Sequence, residues 1–220
     1  MNNFLKLFTV CFLLLSALAI QAQTTFGIRG GVNLASVSIS DDGEDFSYDR
    51  TVGITIAMLA EMGMSESFSI QPELHYIQKG FGVDIDFLGY TISNEAKLNY
   101  LELPIHAKYK FGSGGVGGYL LAGPTLGYAL SGTVESCENG ICDKESIEFD
   151  EDDGFKRFEI GMSIGAGVTI NQNIIIDVRY TMGLTNLNED DFDDIKASNN
   201  GIQIGVGYMF GHSATEDDGN

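Results

Sequence analysis

Apolar residues alternate with small or polar residues in eight segments of the sequence, and this alternation constrains the fold more than any other feature. It is clearest in 201–210, where the even positions from Ile202 to Phe210 are apolar or aromatic, with Gln203 and Gly205 between them. A period of two is the period of a β-strand, whose successive side chains point to opposite faces. The sequence therefore predicts an all-β protein built from eight amphipathic strands.

The alternation also sets the limits of the predicted strands. They cover 25–36, 50–62, 67–79, 97–111, 117–131, 155–170, 173–185 and 201–210. The connections alternate between short ones at 63–66, 112–116 and 171–172 and long ones at 37–49, 80–96, 132–154 and 186–200. Short turns at one end and long loops at the other are typical of antiparallel up-and-down transmembrane barrels, whose short turns face the periplasm. An even strand count then puts both termini on the periplasmic side.

The polar faces of these strands carry charges of both signs in equal number. The predicted cations are Arg29, Lys108, Lys110, Arg157 and Arg179, and the predicted acids are Glu61, Glu73, Glu102, Glu159 and Asp177. Eight strands enclose only enough space for side chains, and an unpaired buried charge costs several kcal/mol. We therefore expect a filled lumen of paired charges, with inward glycines leaving room for the long side chains and the apolar faces in contact with lipid.

Two histidines, His75 and His106, fall on the same inward face, near Glu73 and Glu102. A metal pair or an acid–base pair can be built from such residues. A filled lumen leaves no space for a substrate. The sequence therefore favours a role for both histidines in the polar network and predicts no metal site and no cofactor.

Aromatic residues provide a second indication of a membrane barrel. With the short turns at the bottom, one predicted belt near the lower rim contains Phe26, Phe68, Tyr109, Phe111, Tyr208 and Phe210. A second, near the upper rim, contains Tyr76, Tyr100, Tyr128, Phe158 and Tyr180, although the alternation turns Tyr100 and Tyr119 inward. Two aromatic belts that flank an aliphatic band are typical of barrels embedded in a bilayer.

The N-terminal 22 residues predict an export signal. Lys6 precedes a mostly apolar run from Leu7 to Leu18, and small residues follow. This run is too short to span a bilayer comfortably. Cleavage after Ala22 is favoured, with cleavage after Ala19 as the alternative. The predicted organisation is a signal peptide at 1–22, a barrel at 23–211 and a short acidic periplasmic tail at 212–220.

Charge and cysteine content restrict the partners and the compartment. The formal net charge is −19, and such an acidic surface repels phosphate backbones, which excludes nucleic acid as a partner. Cys137 and Cys142 remain after removal of the signal and lie in a polar segment. In an exported protein this pair predicts a small disulfide ring. Two free thiols, or part of a metal site, are the alternatives.

Several segments resemble a known family. The stretches are Phe26-Gly-Ile-Arg-Gly-Gly-Val-Asn33, Gln71-Pro-Glu-Leu-His-Tyr-Ile-Gln-Lys-Gly80, Leu98-Asn-Tyr-Leu-Glu-Leu-Pro104, Ala122-Gly-Pro-Thr-Leu-Gly-Tyr128 and Asp177-Val-Arg-Tyr-Thr-Met-Gly-Leu-Thr-Asn186. In this order they resemble strands of the PorT-like outer-membrane β-barrel family of Bacteroidota. The resemblance implies an eight-stranded barrel in the cell outer membrane. It implies little about activity.

The last strand resembles the signal that the barrel-insertion machinery reads. The matching residues are Gln203, Gly205, Tyr208 and Phe210, although ten further residues follow the final aromatic residue. The predicted partners are therefore outer-membrane lipid, the insertion machinery during assembly, and a protein of the envelope.

Three functions remain open from the sequence. The favoured one is an integral outer-membrane barrel with a structural or partner-binding role and no wide pore. The second is a soluble, exported, lipocalin-like barrel with apolar residues inside and charges outside. The third, a lipid-modifying enzyme, is disfavoured because no nucleophile is placed beside a histidine. The acidic runs at 148–153 and 189–194 lack the spacing of a calcium loop.

Overall fold

The computed structural model describes residues 24–41, 44–47, 50–87, 90–112, 114–138, 141–147, 156–186 and 196–210. The predicted signal peptide, the predicted tail and the acidic run at 189–194 lie outside the described residues, as does 148–153. Ten strands are described, and they are listed here in chain order. They are β1 (Thr24–Asp41), β2 (Glu44–Ser47), β3 (Thr51–Gly63), β4 (Phe68–Phe87), β5 (Tyr90–Phe111), β6 (Val116–Glu138), β7 (Ile141–Ile147), β8 (Phe158–Ile170), β9 (Ile174–Gly183) and β10 (Lys196–Phe210). No helix within the described ranges is long and apolar enough to cross a membrane.

Eight of these strands form a closed ring. Each of β1, β3, β4, β5, β6, β8, β9 and β10 pairs antiparallel with the next, and β10 pairs back with β1. This closing register runs from Phe26 opposite Phe210 to Ser40 opposite Lys196. The short strand β2 extends the end of β1, and β7 extends the end of β6. The prediction of an all-β, antiparallel, up-and-down barrel of eight strands is confirmed.

The alternation along each strand separates an exposed apolar face from a buried polar face. Ile54, Ile164 and Ile204 are 49%, 62% and 46% exposed, whereas Arg29 and Arg179 are 2% and 1% exposed. In β3 and β9 buried and exposed residues alternate along most or all of the strand. The soluble lipocalin-like alternative requires the opposite arrangement and is therefore wrong.

Several strands are longer than predicted, and the predicted long loops are partly strand. Within 80–96, β4 and β5 remain paired from Gly80 opposite Lys97 to Phe87 opposite Tyr90. The segment 132–154 contains the end of β6 and all of β7, and 37–49 contains the end of β1 and β2. Beyond the membrane both faces of a hairpin can be polar, so the backbone pairing continues after the alternation has faded.

The ends of some strands also shift. β8 begins at Phe158 rather than at 155, β9 ends at Gly183 rather than at 185, and β10 begins at Lys196 rather than at 201. The shift at β9 is of the usual size for the end of an element, whereas β10 gains five residues because its pairing with β1 continues to Ser40 opposite Lys196. These shifts leave the inward and outward assignment of the described side chains unchanged.

The two ends of the barrel differ in their connections. At one end, which we call the turn end, the strands are joined by the segments 64–67, 112–115 and 171–173. Asn171 and Gln172 have φ values of 50° and 63°, and Asn173 N donates to Ile170 O at 3.2 Å. This is the type I′ geometry that suits a tight hairpin. The opposite end, which we call the hairpin end, carries the extended β4–β5 and β6–β7 hairpins.

Candidate functional site

The centre of the lumen holds a buried cluster of two arginines and two acids. Arg29 Nε donates to Asp177 Oδ1 at 2.9 Å. Arg179 donates to both acids, from Nη2 to Asp177 Oδ2 at 2.9 Å and from Nη1 to Glu73 Oε2 at 2.8 Å. All four side chains are at most 1% exposed. The cluster is balanced in charge, as a sealed ionic group needs to be.

Neutral side chains complete the hydrogen bonds of this central cluster. Tyr119 OH donates to Asp177 Oδ2 at 2.9 Å, and Gln71 Nε2 donates to Glu73 Oε1 at 2.6 Å. The rings of His75 and His106 also contact Glu73, at 2.5 Å and 3.0 Å. Glu73 thus contacts one arginine, one side-chain amide and two imidazole rings. Both histidines are committed to this carboxylate.

A second charged cluster lies at the turn end of the lumen. Glu61 accepts from Lys108 Nζ at 2.7 Å and from Lys110 Nζ at 2.8 Å. Lys108 also donates to Gln71 Oε1 at 3.0 Å, which links this cluster to the central one. The Lys110 side chain is 36% exposed, whereas that of Lys108 is 2% exposed. The outer lysine therefore lies at the rim of the lumen, whereas the inner one is buried.

A third charged cluster lies toward the hairpin end and is centred on Lys79. Its Nζ contacts Glu102 Oε1 at 2.5 Å and Glu159 Oε2 at 3.1 Å. Asn199 Nδ2 donates to the same oxygen of Glu159 at 2.9 Å. Lys79 also lies 4.8 Å above the ring centre of Tyr100, where the ring face attracts the cation.

Apolar side chains pack in the lumen beside the charged clusters. Toward the turn end the packed residues are Leu59, Tyr119, Leu121, Ile175 and Met209. Toward the hairpin end they are Ile77, Leu98, Tyr100 and Ala129, with Ile147 against them, and separately Val37 and Ala197 with Phe81. At the turn end an open cavity of about 310 Å³ reaches as far as Lys108 and Met209. The described residues therefore form a plug rather than a channel.

Inward glycines make the space that the long side chains fill. A Cβ on Gly205 would collide with the guanidinium of Arg29, and one on Gly165 would lie 2.8 Å from Arg179 Cγ. A Cβ on Gly183 would likewise lie 2.8 Å from Glu159 Oε1. Arg29, Arg179 and Glu159 therefore each lie over a glycine of a neighbouring strand.

The structure brings together most of the residues that the sequence assigned to the lumen. Arg29, Glu73, Asp177 and Arg179 meet in the central cluster together with both histidines, and the other acids and lysines occupy the two flanking clusters. Arg157 lies just before β8 and is half-buried.

Sequence reasoning missed Lys79 and Asn199, which the third cluster brings together on Glu159. Lys79 comes at the predicted end of its strand, where the apolar alternation gives no direction for a side chain. Extending β4 by the same period of two, from Glu73 through His75 and Ile77, places Lys79 inward. This parity, carried to the end of the predicted strand 67–79, is the signal that could have found it.

The four residues that resemble an insertion signal also have places in the folded barrel. Gln203 and Gly205 face the lumen, where Gln203 Nε2 donates to Thr181 Oγ1 at 3.3 Å. Tyr208 and Phe210 are 46% and 48% exposed on the outer face, and their rings contact edge to face. Other predicted belt members such as Tyr109 and Tyr180 are exposed, whereas Tyr100 and Tyr119 point inward.

The predicted disulfide is present. Cys137 and Cys142 are directly opposite each other on β6 and β7 and are joined. The described residues contain one group of three side chains with metal-ligand atoms close together, and it consists of these cysteines and Glu135. Because both sulfurs are bonded to each other, neither is available as a thiolate ligand.

A closed ring of amphipathic strands, apolar outside and filled with paired charges inside, defines an integral β-barrel of a membrane. The chain belongs to the family described as "Outer membrane protein beta-barrel domain", which its sequence matches over residues 21–189. It is therefore an outer-membrane protein. Comparison with curated protein sequences finds no match.

Solved structures of outer-membrane barrels are also similar. Ail of Yersinia pestis, in complex with the heparin analogue sucrose octasulfate, is 17% identical, with 85% of this chain and 99% of that chain covered and a TM-score of 0.41. Neisserial surface protein A is 14% identical, with 84% and 97% covered and a TM-score of 0.41. The outer membrane enzyme PagL is 9% identical, with 80% and 97% covered and a TM-score of 0.39. At these levels of similarity the functions of these proteins do not transfer.

Proposed function

We propose that this outer-membrane barrel is a closed platform that presents its extended hairpins to a partner in the envelope. The observation that carries the proposal is the filled lumen, which is occupied by three charged clusters and by buried apolar side chains. A barrel filled in this way has no path for solutes along its axis. The extended hairpins are then the parts of the barrel that remain to bind a partner.

The closed lumen is tested by electrical recording in a planar lipid bilayer. Purified full-length protein, inserted and checked for its folded state on a gel, is expected to give no steady conductance. A variant with Lys79→Ala, which shortens the side chain at the centre of one cluster, serves as a comparison for induced leakage. A stable large conductance from the unmodified protein would contradict the proposal.

The platform consists of four strands. β4, β5, β6 and β7 are paired side by side at the hairpin end, and β5 has 22 residues, whereas about 9–11 are enough to cross a bilayer. The exposed β7 is tied to β6 by the Cys137–Cys142 disulfide. Crosslinking in the native membrane from one added cysteine at Ser136 or Ser146, with the Cys137–Cys142 disulfide kept oxidised, is expected to capture an envelope protein. Crosslinking from a cysteine introduced at Ser65, at the turn end, should not capture that protein.

We also propose that the hairpin end faces the outside and that both termini are periplasmic. The short turns of bacterial barrels generally face the periplasm, which supports this orientation. A membrane-impermeant maleimide should label an added cysteine at Asp143 on intact cells and one at Ser65 only after the outer membrane is opened. The reverse pattern would overturn the orientation.

A lipid-modifying activity is the second candidate, since one barrel of similar fold is an enzyme. We propose that this chain is not one, because His75 and His106 are buried on Glu73 and touch no nucleophile among their described contacts. Deletion of the protein should therefore leave the profile of outer-membrane lipids unchanged. A missing or added acyl chain in that profile would favour the enzyme.

The finer family assignment and the processing of the chain are proposals as well. The motifs from Phe26 to Asn186 support a PorT-like member from Bacteroidota. The apolar run from Leu7 to Leu18 supports export with cleavage after Ala22. N-terminal sequencing of the mature protein should start at Gln23, and a start at Ile20 would show the alternative site. Depletion of the insertion machinery should leave the protein unfolded in the periplasm.

A further inference from the structure

The outer face of the barrel wall changes from apolar to polar at one level. On β5 the outward positions from Leu101 to Phe111 are all apolar or aromatic. Leu101 to Phe111 covers ten residue steps of about 3.3 Å along the strand. With the strand tilted by about 40° from the membrane normal, these steps rise about 25 Å, which is the height of the apolar band in outer-membrane barrels. The next outward residue, Asn99, therefore lies where hydrocarbon gives way to lipid headgroups.

Four outward side chains form a hydrogen-bonded row at this level, which we call the polar ladder. It consists of Tyr76, Gln78, Asn99 and Ser131. Tyr76 OH and Gln78 Nε2 donate to Asn99 Oδ1 at 2.9 Å and 3.1 Å. Asn99 Nδ2 donates to Ser131 Oγ at 2.9 Å. The row thus crosses three neighbouring strands, β4, β5 and β6, on the surface that continues into the lipid-facing band.

The backbone pairing ends on one side of the polar ladder and shifts register on the other. The pairing of β3 with β4 starts at Thr55 opposite Ile77, so that Ile54 N donates to Gln78 Oε1 at 3.2 Å instead of to a strand carbonyl. Between β5 and β6 the register shifts by one residue next to Asn99, and Ser131 becomes outward-facing together with Leu130. A bulge like the one between β5 and β6 redirects side chains, and bulges recur at functional positions.

The backbone N–H of Ile54 determines the direction of both amides in the ladder. It can only donate, so the Gln78 atom that it contacts is the carbonyl oxygen, and Gln78 Nε2 is turned toward Asn99. Asn99 must then present its oxygen to Gln78 and its nitrogen to Ser131. The Asn99 oxygen accepts within the ladder and the Gln78 oxygen accepts from Ile54 N. Each amide group retains a second N–H, and Ser131 retains its hydroxyl proton. The ladder offers hydrogen-bond donors to its surroundings.

We propose that the polar ladder binds the phosphate group of a lipid in the leaflet at the hairpin end. The free donors need an acceptor, and the adjoining hydrocarbon supplies none. Lys97 is the next outward residue of β5 after Asn99, toward the hairpin end. Its Nζ lies 2.8 Å from Glu95 Oε2. A lysine next to several neutral donors suits a phosphate, which offers several acceptor oxygens and a negative charge. The headgroup would then hold the barrel at a fixed depth.

The test measures lipid retained by the full-length protein after release from detergent micelles in a native mass spectrometer. The probes are phosphatidylglycerol, diacylglycerol with the same acyl chains, and inorganic phosphate. The variant is Asn99→Asp, which replaces donors with a negative charge, and its matched control is Asn171→Asp in an exposed turn at the other end. We expect Asn99→Asp to retain at least about tenfold less phosphatidylglycerol, as the loss of charged hydrogen bonds implies, and Asn171→Asp to match the unmodified protein.

Each other outcome overturns the proposal. Equal retention of phosphatidylglycerol by both variants would mean that the ladder is not the site. Equal retention of diacylglycerol would show that acyl contacts alone hold the lipid, and displacement by inorganic phosphate would show a site for a free anion. If Asn99→Asp fails to insert, Ser131→Ala replaces it with an expected loss of about threefold from one donor, and no loss contradicts the proposal.

Discussion

The lumen and the lipid-facing band are built from the same eight strands but are stabilised in opposite ways. In the lumen Arg29, Glu73 and Arg179 are buried and depend on specific partners at fixed distances. On the outer face Ile164 and Ile204 need only an apolar surrounding, which any lipid chain provides. Substitutions in the lumen should therefore act through lost partners, and substitutions outside should act through the depth of the residue in the bilayer.

The largest effect is expected at the centre of the lumen. Arg179→Met removes the cation between Glu73 and Asp177 and leaves two carboxylates facing each other in a sealed space. Breaking a buried ion pair destabilises by about 3–5 kcal/mol. Urea unfolding of the inserted protein, followed by gel mobility or by circular dichroism, measures the change in the free energy of unfolding. Lys110→Met, at the partly exposed rim, is the control and should change the free energy of unfolding by less than about 1 kcal/mol.

A charge on the outer face should have the next largest effect. Ile164 lies in the middle of β8 and is 62% exposed to the lipid, so Ile164→Arg should destabilise by about 2–4 kcal/mol. Phe158→Arg, at the end of the same strand, should cost about 0–1 kcal/mol because the headgroup layer is near. The same unfolding experiment compares the two variants. Equal losses would mean that depth does not control the outer face.

A steric change in the lumen should have a smaller effect. Gly205→Ala puts a methyl group against the guanidinium of Arg29, and overpacking of this kind costs about 1–3 kcal/mol. A matched change on the outer face is Gly30→Ala, where a Cβ would meet its nearest described atom at 4.0 Å. Gly30→Ala is expected to leave the unfolding midpoint unchanged. If both variants behave alike, close packing around Arg29 is not what requires glycine.

The smallest effect on the barrel itself is expected at the disulfide. Replacing both Cys137 and Cys142 with serine removes a link within one hairpin, β6–β7, that lies beyond the membrane band. The free energy of unfolding of the ring should change by less than about 0.5 kcal/mol, because surface changes away from the core act weakly. Proteolysis between the two positions should become faster. A loss of barrel stability would instead show that the hairpin supports the wall.

The strand directions and the lumen charges could be predicted because lipid and lumen impose opposite demands on alternate residues. The alternation from Phe26 to Asn33 and from Gln203 to Phe210 follows directly from those opposite demands. Lys79 could not be placed in the same way, because its strand leaves the apolar band after Tyr76 and the outward residues become polar. The partner distances around Glu73 depend on residues from three strands, β4, β5 and β9, and no local pattern in the sequence specifies them.

The register shift next to Asn99 was equally hidden from the sequence. Leu130 and Ser131 follow an ordinary alternation up to that point, and nothing in their chemistry marks an extra residue. The extra residue becomes visible only through the partner strand, where Tyr100 stays inward. The polar ladder is therefore a property of pairing between strands and not of any one strand.

The pairing of β1 with β10 has a consequence for how this protein is made. Phe26 and Phe210 stand opposite each other although they lie near the two ends of the described chain. Contacts between such distant segments form slowly, because a long loop must close before they contribute any stability. Until β10 has arrived, both β1 and β9 present unpaired edges that invite aggregation. Chain synthesis and export therefore have to finish before the wall can seal, and the intermediate needs protection until then.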